Sequence, residues 1–351
     1  MTATPTPDNN ADEVLNIKPK SSKKRKAVTI VSIILAVILV FVSTFFIIVK
    51  IGEKRLRNSL ASGKGADIST TEADADDSAI YHNGKAYYYN ENLINFLFLG
   101  IDRYYDDKET QGQADAIYLF SVDTDKSKVK IISISRNTMC DVDILNSDGE
   151  AYGTENQQIC LAYAYGNSNK RSSENCTKAV SNLLYGVPIN GYYTLHFDSI
   201  SQIVDSVGGV SVYIPTDFTN PVFDGKRGKT VKLNGNDSLI YLRTRGESNA
   251  PRVERHKQFI GSFVSSAKTA VKKDLSLPFK MAKRLSREAT TNLDISSILY
   301  LATEALDWEL EFANVAGEYS VEDNVEKMTV DDAALRQLVI DCFYAENKTV
   351  K

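Results

Sequence analysis

The pattern of apolar and polar positions divides this 351-residue chain into a polar start, one long apolar run and a large mixed region. Residues 1–26 are polar and lysine-rich, which predicts a disordered tail. Residues 27–49 form an uncharged and mostly apolar run of 23 positions. Because about 20 helical residues span a bilayer core, this run predicts one transmembrane helix. Residues 50–86 contain an acidic segment of small residues and predict a flexible stalk.

Beyond the stalk, short apolar runs alternate with helical periodicity between residues 87 and 344. The run 93–101 is apolar at nearly every position, as in a strand buried on both faces. Two further strands are predicted at 116–122 and 129–135, joined by a hairpin turn. Helical spacing predicts helices at 176–185, 200–207, 252–271 and 331–344. This mixture predicts an α/β domain, a central mixed β-sheet flanked by helices on both faces, with a C-terminal tail at 345–351.

The distribution of charge predicts the orientation of the chain in the membrane. Six basic residues precede the apolar run and four follow it closely. The larger positive cluster stays on the cytoplasmic side, so we expect a cytoplasmic tail and an extracellular C-terminal domain held at the cell membrane by a single pass. After residue 26 the chain has 35 basic and 42 acidic residues, a balance that argues against nucleic acid as a partner.

Four cysteines follow the apolar run, at positions 140, 160, 176 and 342. Outside the cytoplasm disulfides persist, so we expect at least one oxidised pair. The sequence does not choose among the three possible ways of pairing four cysteines. The spacing matches no zinc motif, so a metal–thiolate site is not expected.

Charged side chains cluster where the predicted strands begin and end. Asp102 and Arg103 directly follow the first strand, Asp115 immediately precedes the second, and Arg136 follows the third. If the second strand is antiparallel to the third, and the first runs parallel to the third, all four residues share one edge of the sheet. Carboxylates there could hold Mg²⁺ (or Mn²⁺), and guanidinium groups could grip phosphate. The alternative is a set of ordinary surface ion pairs.

A second basic group lies between residues 243 and 256. In an extended segment Arg243 and Arg245 face the same way and could hold one anion together. Arg252 opens a predicted helix and shares one helical stripe with His256. An arginine near a helix N-terminus opposes the macrodipole, and a bound anion would relieve that repulsion. The alternative is a solvated basic face.

Together these segments resemble the LytR-CpsA-Psr family of cell-envelope proteins over almost the whole exported domain. The segments that carry the resemblance are Asn95–Arg103, the strand from Asp115, Ile132–Arg136, Ala162–Gly166, Val204–Val210, Leu242–Arg245 and Arg252–Arg255. The resemblance implies a phosphotransferase (ligase) that moves a glycopolymer, such as teichoic acid or capsule, from a polyprenyl-pyrophosphate carrier to peptidoglycan through a phosphodiester.

The resemblance also implies roles for single residues. Asp102 and Asp115 match the metal-associated carboxylates, and both join Arg136 as expected catalytic residues. The expected pyrophosphate-binding side chains are Arg103, Arg136, Arg243, Arg245, Arg252 and His256. An apolar pocket between sheet and helices takes the lipid tail. Phosphoryl transfer depends on positioning and charge neutralisation more than on a protein nucleophile, which fits such a set.

Several positions depart from the family pattern. Gln113, Cys140 and Gln158 stand where the family often has a cation, and His256 stands where glutamine is frequent. Each charge-assisted hydrogen bond to phosphate contributes roughly 1.5–3 kcal/mol. The missing cations leave an alternative open, a non-enzymatic, membrane-anchored polyprenyl-phosphate binding or envelope regulatory protein on the same fold.

Overall fold

The computed structural model describes residues 47–55, 79–102, 111–244, 250–285 and 287–346. Several predicted segments lie outside the described residues: the N-terminal tail, most of the stalk and all but the last three residues of the transmembrane helix. Arg103 and Arg245 also lie outside them. Among the helices that are described, none combines the length and the apolar character needed to cross a membrane.

The described strands are numbered along the chain. They are β1 (Ala79–His82), β2 (Lys85–Tyr89), β3 (Leu93–Asp102), β4 (Gln113–Asp123), β5 (Lys128–Ile134), β6 (Met139–Leu145), β7 (Ala151–Gln158), β8 (Gly191–His196), β9 (Val210–Tyr213), β10 (Thr230–Leu233), β11 (Thr290–Thr291), β12 (Glu309–Asn314), β13 (Gly317–Glu322), β14 (Val325–Val330) and β15 (Tyr344–Ala345).

The helices are numbered in the same way. They are α1 (Leu161–Ala164), α2 (Asn169–Leu183), α3 (Phe197–Ser206), α4 (Gly235–Arg243), α5 (Ala250–Lys273), α6 (Leu277–Leu285), α7 (Ile295–Glu304) and α8 (Asp332–Phe343).

A six-stranded mixed sheet organises the domain, in the order β11-β8-β3-β4-β5-β12. Strand β4 is antiparallel to both β3 and β5, whereas β8 is parallel to β3 and β12 is parallel to β5. The predicted mixed α/β architecture is therefore confirmed. The predicted hairpin turn between the second and third strands is also present, because β4 and β5 pair from Ile117–Ile134 down to Asp123–Lys128.

The central sheet is buried on both faces because its middle strands alternate between two apolar sets. On one face Leu97, Leu99 and Ile101 are fully buried in the main core together with side chains of α2 and α8. On the other face Tyr118 contacts His256 of α5. Since helices cover both faces, the run 93–101 reads as apolar at almost every position, as the sequence indicated.

The four cysteines, all within the described ranges, are free and buried thiols, so the expected disulfide is absent. Cys140, Cys176 and Cys342 belong to the main apolar core, where they pack as small hydrophobic side chains. Burial raises the pKa of Cys140 to about 12 and that of Cys342 to about 11. Because the thiolate is the reactive form, these positions are chemically inert compared with exposed thiols.

Candidate active site

One end of the central sheet, here called the rim, collects the residues predicted for the site. Strands β3 and β5 end there and β4 begins there, because β4 is antiparallel to both. The register pairs Asp102 with Gln113, two residues before Asp115. Arg136 follows the last residue of β5 by two positions. The predicted gathering of Asp102, Asp115 and Arg136 at one end of the sheet is thus confirmed.

Arg136 is fixed at the rim by two partners on β4. Its Nη1 donates to Asp115 Oδ1 and its Nη2 donates to Gln113 Oε1. Gln113 and Asp115 are two residues apart in a strand and so face the same way. The Asp115 side chain is 5% exposed and that of Arg136 is 18% exposed. Gln113 therefore orients the guanidinium without adding the charge that the family often has at that position.

The structure corrects the predicted place of Asp115. Strand β4 begins at Gln113, three residues earlier than the predicted 116, so Asp115 lies within the strand and is buried. The sequence analysis placed the start late because Gln113 and Asp115 are polar. A buried carboxylate needs a partner, and Arg136 is that partner.

Arg243 forms a second ion pair at the rim. Its Nη2 lies 2.7 Å from Asp102 Oδ1 and 3.5 Å from Asp198 Oδ1. The guanidinium also lies over the ring of Phe197, with 5.6 Å between Cζ and the ring centroid. Arg243 is the last residue of helix α4 and not part of an extended segment, so the predicted reason for pairing Arg243 with Arg245 is wrong.

Asp198 was missed by the sequence analysis. It lies in the first turn of α3, just after β8. Strand β8 runs parallel to β3, with His196 opposite Ile101, so the chain leaves β8 at the rim. The sequence analysis took polar residues at strand ends as candidate site residues. The same rule would have selected Asp198 if β8 had been predicted. The segment 191–196 contains two tyrosines and a threonine, which favour strands, but the sequence analysis did not assign it.

A cavity of about 40 Å³ lies between the rim and the start of α5. Asp115 and Arg136 line it from the sheet, and Arg252 lines it from the first turn of the helix. Two guanidinium groups and a helix N-terminus thus border one cavity, an arrangement that suits a phosphate group. The remaining lining residues are Ala116, Ile117, Tyr118, Ser133, Ile134, Ser135, Val253, His256 and Tyr319.

His256 lines the cavity, but both of its ring nitrogens are hydrogen-bonded to protein groups. It is buried, its Nε2 donates to the Leu242 carbonyl oxygen at 3.1 Å, and its Nδ1 accepts from the Tyr118 hydroxyl at 2.6 Å. A carbonyl only accepts, which assigns the proton to Nε2. Burial, reinforced by Arg252, lowers the pKa of His256 to about 3. His256 is therefore a neutral tether that joins β4 and α5 to the segment carrying Arg243.

The buried imidazole predicts a pH-dependent stability. Its pKa rises from about 3 in the folded chain to about 6.5 on unfolding. The unfolded chain thus binds more protons between these values, so stability is full above pH 6.5 and falls as the pH drops. At pH 5 the free energy of unfolding is lower by about 2 kcal/mol.

We expect His256→Gln to show a shallower fall of melting temperature between pH 7 and pH 5. Tyr118→Phe, which keeps the buried imidazole, should retain the wild-type slope, and equal slopes for His256→Gln and wild type would contradict this assignment.

The rim carboxylates fit a hard cation that is shared with a substrate. Within the described ranges there is no cluster of three or more His, Cys, Asp or Glu side chains that could hold a metal alone. Mg²⁺ commonly uses one or two protein carboxylates together with substrate phosphate oxygens. Asp115 lines the cavity, and Asp102, whose side chain is 31% exposed, stands at the same rim. The donor set suits Mg²⁺ in the company of a phosphate.

Fold and site together define a mixed α/β domain in which arginine and aspartate side chains gather at one end of the central sheet. The chain belongs to the LytR-CpsA-Psr family, whose model (LytR_cpsA_psr) matches residues 58–340. This result confirms the resemblance seen in the sequence.

Named relatives extend the comparison. The polyisoprenyl-teichoic acid–peptidoglycan teichoic acid transferase TagV of Bacillus subtilis (strain 168) is 29% identical over 220 residues, which are 59% of this chain and 52% of the relative. The chain thus spans about half the length of that relative. The TagU transferase of Enterococcus faecalis (strain ATCC 700802 / V583) is 25% identical over 257 residues, 71% of this chain and 78% of the relative.

Solved structures share the fold. The crystal structure of B. subtilis TagV matches with a TM-score of 0.58 at 23% identity, covering 71% of this chain and 96% of that chain. The structure of TagT bound to LI-WTA matches with a TM-score of 0.55 at 19% identity, covering 80% of this chain and 96% of that chain. At 23% and 19% identity, the similarity to these structures establishes the fold alone.

Proposed function

We propose that this chain transfers a glycopolymer from a polyprenyl-pyrophosphate carrier to peptidoglycan through a phosphodiester, as a step of cell-wall assembly. The observation that carries the proposal is the cavity bordered by Arg136, Arg252 and Asp115 at the rim. Family membership and the names of the relatives support the substrate class, since TagV and TagU are named as teichoic acid transferases.

In this proposal the arginines of the rim hold the pyrophosphate. Arg136 donates to Asp115, to Gln113 and, at 3.6 Å, to Cys160 Sγ, so the remaining N–H groups among its five donors can reach phosphate oxygens. Arg252 approaches from the opposite wall of the cavity. Arg243 stands beside Asp102 at the same rim. Arg103 and Arg245, outside the described residues, join the set by sequence position.

Asp102 and Asp115 are the residues that would hold Mg²⁺. A bound Mg²⁺ would neutralise the charge that builds up on the phosphate oxygens during transfer. The chain's own side chains hold the substrate in line: Arg136 and Arg252 orient the phosphate, and Gln113 keeps the guanidinium of Arg136 pointed at it. Such positioning and charge neutralisation account for most of the catalysis in phosphoryl transfer.

The reaction breaks the phosphoanhydride bond of the carrier and forms a phosphoester bond to peptidoglycan. A hydroxyl oxygen of peptidoglycan attacks the phosphorus that carries the glycan. The bond from this phosphorus to the bridging oxygen breaks, and the electron pair leaves with polyprenyl monophosphate. The hydroxyl proton passes to a rim carboxylate or to solvent. The glycan ends joined to peptidoglycan through a phosphodiester, and no redox partner is needed.

The lipid tail is proposed to run from the cavity along the face of the sheet that carries Tyr118. On this face Phe98 pairs with Tyr118 and Phe96 pairs with Phe120. The rings of Phe96 and Phe120 stack with centroids 4.9 Å apart, and both side chains are only half-buried. A half-buried aromatic surface that begins at a phosphate cavity suits an apolar chain attached to that phosphate.

The proposed substrate requires the domain to face the cell wall. We therefore propose that residues 27–49 anchor the chain in the cell membrane, with residues 1–26 in the cytoplasm. A reporter enzyme that works only outside the cytoplasm should be active when fused after Lys351 and inactive when fused before Met1. The reverse result would contradict both the location and the function.

A binding or regulatory role is the second candidate, because the site has fewer cations than the family pattern. Gln113 is neutral, and Gln158 donates to Asn137 Oδ1 at 3.2 Å and to the Glu326 carbonyl at 2.7 Å instead of entering the cavity. Mass spectrometry of detergent-extracted full-length protein should detect a co-purified polyprenyl phosphate or pyrophosphate. Protein free of any such lipid, also after incubation with polyprenyl pyrophosphate, would contradict both roles.

A further inference from the structure

A β-hairpin made of β13 and β14 stands at the rim beside Arg136. Strand β12 runs parallel to β5 up to the pair Asn314–Ser133, and the Val315 amide then donates to the Ser133 carbonyl at 3.0 Å. The chain continues from there into β13. Because β5 ends at the rim, β12 also ends there, and the hairpin lies at the same end of the sheet as the phosphate cavity.

Contacts one residue from Arg136 hold this hairpin in place. The side-chain amide of Asn137 donates to Glu326 Oε2 at 2.6 Å, and the Met328 amide donates to the Asn137 carbonyl at 2.8 Å. Met328 is 1% exposed in the main core. The hairpin is thus fixed to the backbone that carries the Arg136 guanidinium, and its position relative to the cavity is set by the fold.

Tyr319 is the residue that the hairpin contributes to the cavity. It lies opposite Met328 in the β13–β14 register, so both point to the same side of the hairpin. Met328 is held in the core, whereas Tyr319 is 44% exposed and lines the cavity together with Arg136 and Arg252. An aromatic ring half open to solvent therefore stands at the mouth of a cavity bordered by two guanidinium groups.

We propose that Tyr319 is a stacking platform for a pyranose ring that is ester-linked to the phosphate in the cavity, an inference that rests on the proposed transferase function. The C–H face of a pyranose is apolar and packs on an aromatic ring, while its hydroxyl groups remain in water. In a glycosyl pyrophosphate the sugar is joined to phosphorus through a single oxygen. A ring at the mouth of the phosphate cavity is therefore within reach of the sugar when Arg136 and Arg252 hold the phosphate.

Two sugars share this chemistry, the first sugar of the carrier-bound glycan and the acceptor sugar of peptidoglycan.

The test compares Tyr319→Ala and Tyr319→Phe with wild type in full-length protein. Tyr213→Ala is the matched control, because Tyr213 is 43% exposed on strand β9 and does not line the cavity. Binding is measured with bare polyprenyl pyrophosphate and with the same lipid carrying a sugar, and transfer is measured against the concentration of peptidoglycan oligomers.

If Tyr319 holds the donor sugar, Tyr319→Ala should weaken binding of the sugar-bearing lipid about three- to tenfold and leave binding of the bare lipid unchanged. If it holds the acceptor sugar, both lipids should bind as in wild type while the oligomer concentration at half-maximal rate rises by a similar factor. In either case Tyr319→Phe should behave like wild type, because the ring is what stacks.

Two results would contradict the proposed stacking role of Tyr319. One is equal weakening of binding for both lipids, and the other is no change in the lipid affinities or in the dependence on oligomer concentration. A failure of the proposed function would look different. The wild-type protein itself would then bind neither of the two lipids, or it would form no product. Melting temperatures of the variants show whether each is folded, and Tyr213→Ala should match wild type in every assay.

Discussion

Replacing Asp115 with asparagine is expected to lower the rate of transfer about a hundred- to a thousandfold, the usual effect of removing one preorganised electrostatic group from an active site. Asparagine has nearly the shape of aspartate and still offers an oxygen to Arg136 Nη1. It lacks the charge that would hold Mg²⁺ beside the phosphate. We therefore expect the lipid to remain bound while its conversion slows by this factor, measured as labelled glycan transferred to peptidoglycan oligomers.

The control for this prediction lies on the same strand. Asp123, at the far end of β4, is also buried, and its Oδ2 lies 3.4 Å from Lys126 Nζ and 3.2 Å from Asn90 Nδ2. Asp123→Asn should reduce stability through the same loss of a buried charge but leave transfer at the wild-type rate. If Asp123→Asn and Asp115→Asn reduce transfer equally, the effect is one of folding and Asp115 has no special part in the chemistry.

Replacing Arg136 with glutamine is expected to have two large effects. It removes charge-assisted hydrogen bonds worth roughly 1.5–3 kcal/mol to the phosphate, so binding of polyprenyl pyrophosphate should weaken about ten- to a hundredfold. It also leaves the buried carboxylate of Asp115 without its guanidinium partner, a change that costs about 3–5 kcal/mol of stability. Arg136→Lys should restore only part of both, because one ammonium cannot contact Gln113 and Asp115 as a planar fork does.

A double-mutant comparison separates the two effects of the Arg136 change. Asp115→Asn combined with Arg136→Gln should be more stable than Arg136→Gln alone, because the buried side chain that paired with Arg136 is then neutral. Lipid affinity should stay as low as in the single arginine variant. Arg171→Gln, which removes a guanidinium paired with Glu174 outside the cavity, should bind lipid like wild type. Wild-type affinity in Arg136→Gln would contradict the assignment of the phosphate site.

Local sequence patterns predicted the elements of the fold whose signal is short-range. The continuous apolar run from Leu93 marked a strand covered on both faces, and the turn after Asp123 marked the β4–β5 hairpin. Once those two strands pair antiparallel, Asp115 and Arg136 must meet at one end of the sheet. That part of the site was therefore predictable, whereas the start of β4 was placed late because Gln113 and Asp115 are polar where they contact Arg136.

Long-range packing determined what the sequence could not predict. The segment 242–245 carries alternating arginines that suggest an extended strand, yet α4 continues through Arg243 because Tyr241 and Leu242 are buried against their neighbours. His256 on a basic stripe looked like an anion ligand, and only the contacts with Tyr118 and Leu242 show that it is a neutral tether. Tyr319 reaches the cavity because β12 lies parallel to β5, a pairing between segments about 180 residues apart that no local pattern encodes.

The most direct test is transfer itself, measured with purified full-length protein, a labelled polyprenyl-pyrophosphoryl glycan and several peptidoglycan oligomers across a range of Mg²⁺ concentrations. The proposed function predicts a labelled product joined through a phosphodiester, with one polyprenyl monophosphate released for each bond formed. A chelator should abolish the product, and Asp115→Asn should reduce it about a hundred- to a thousandfold. Wild-type protein that binds the lipid but forms no product with any acceptor at any Mg²⁺ concentration would contradict the proposed function and favour the binding role.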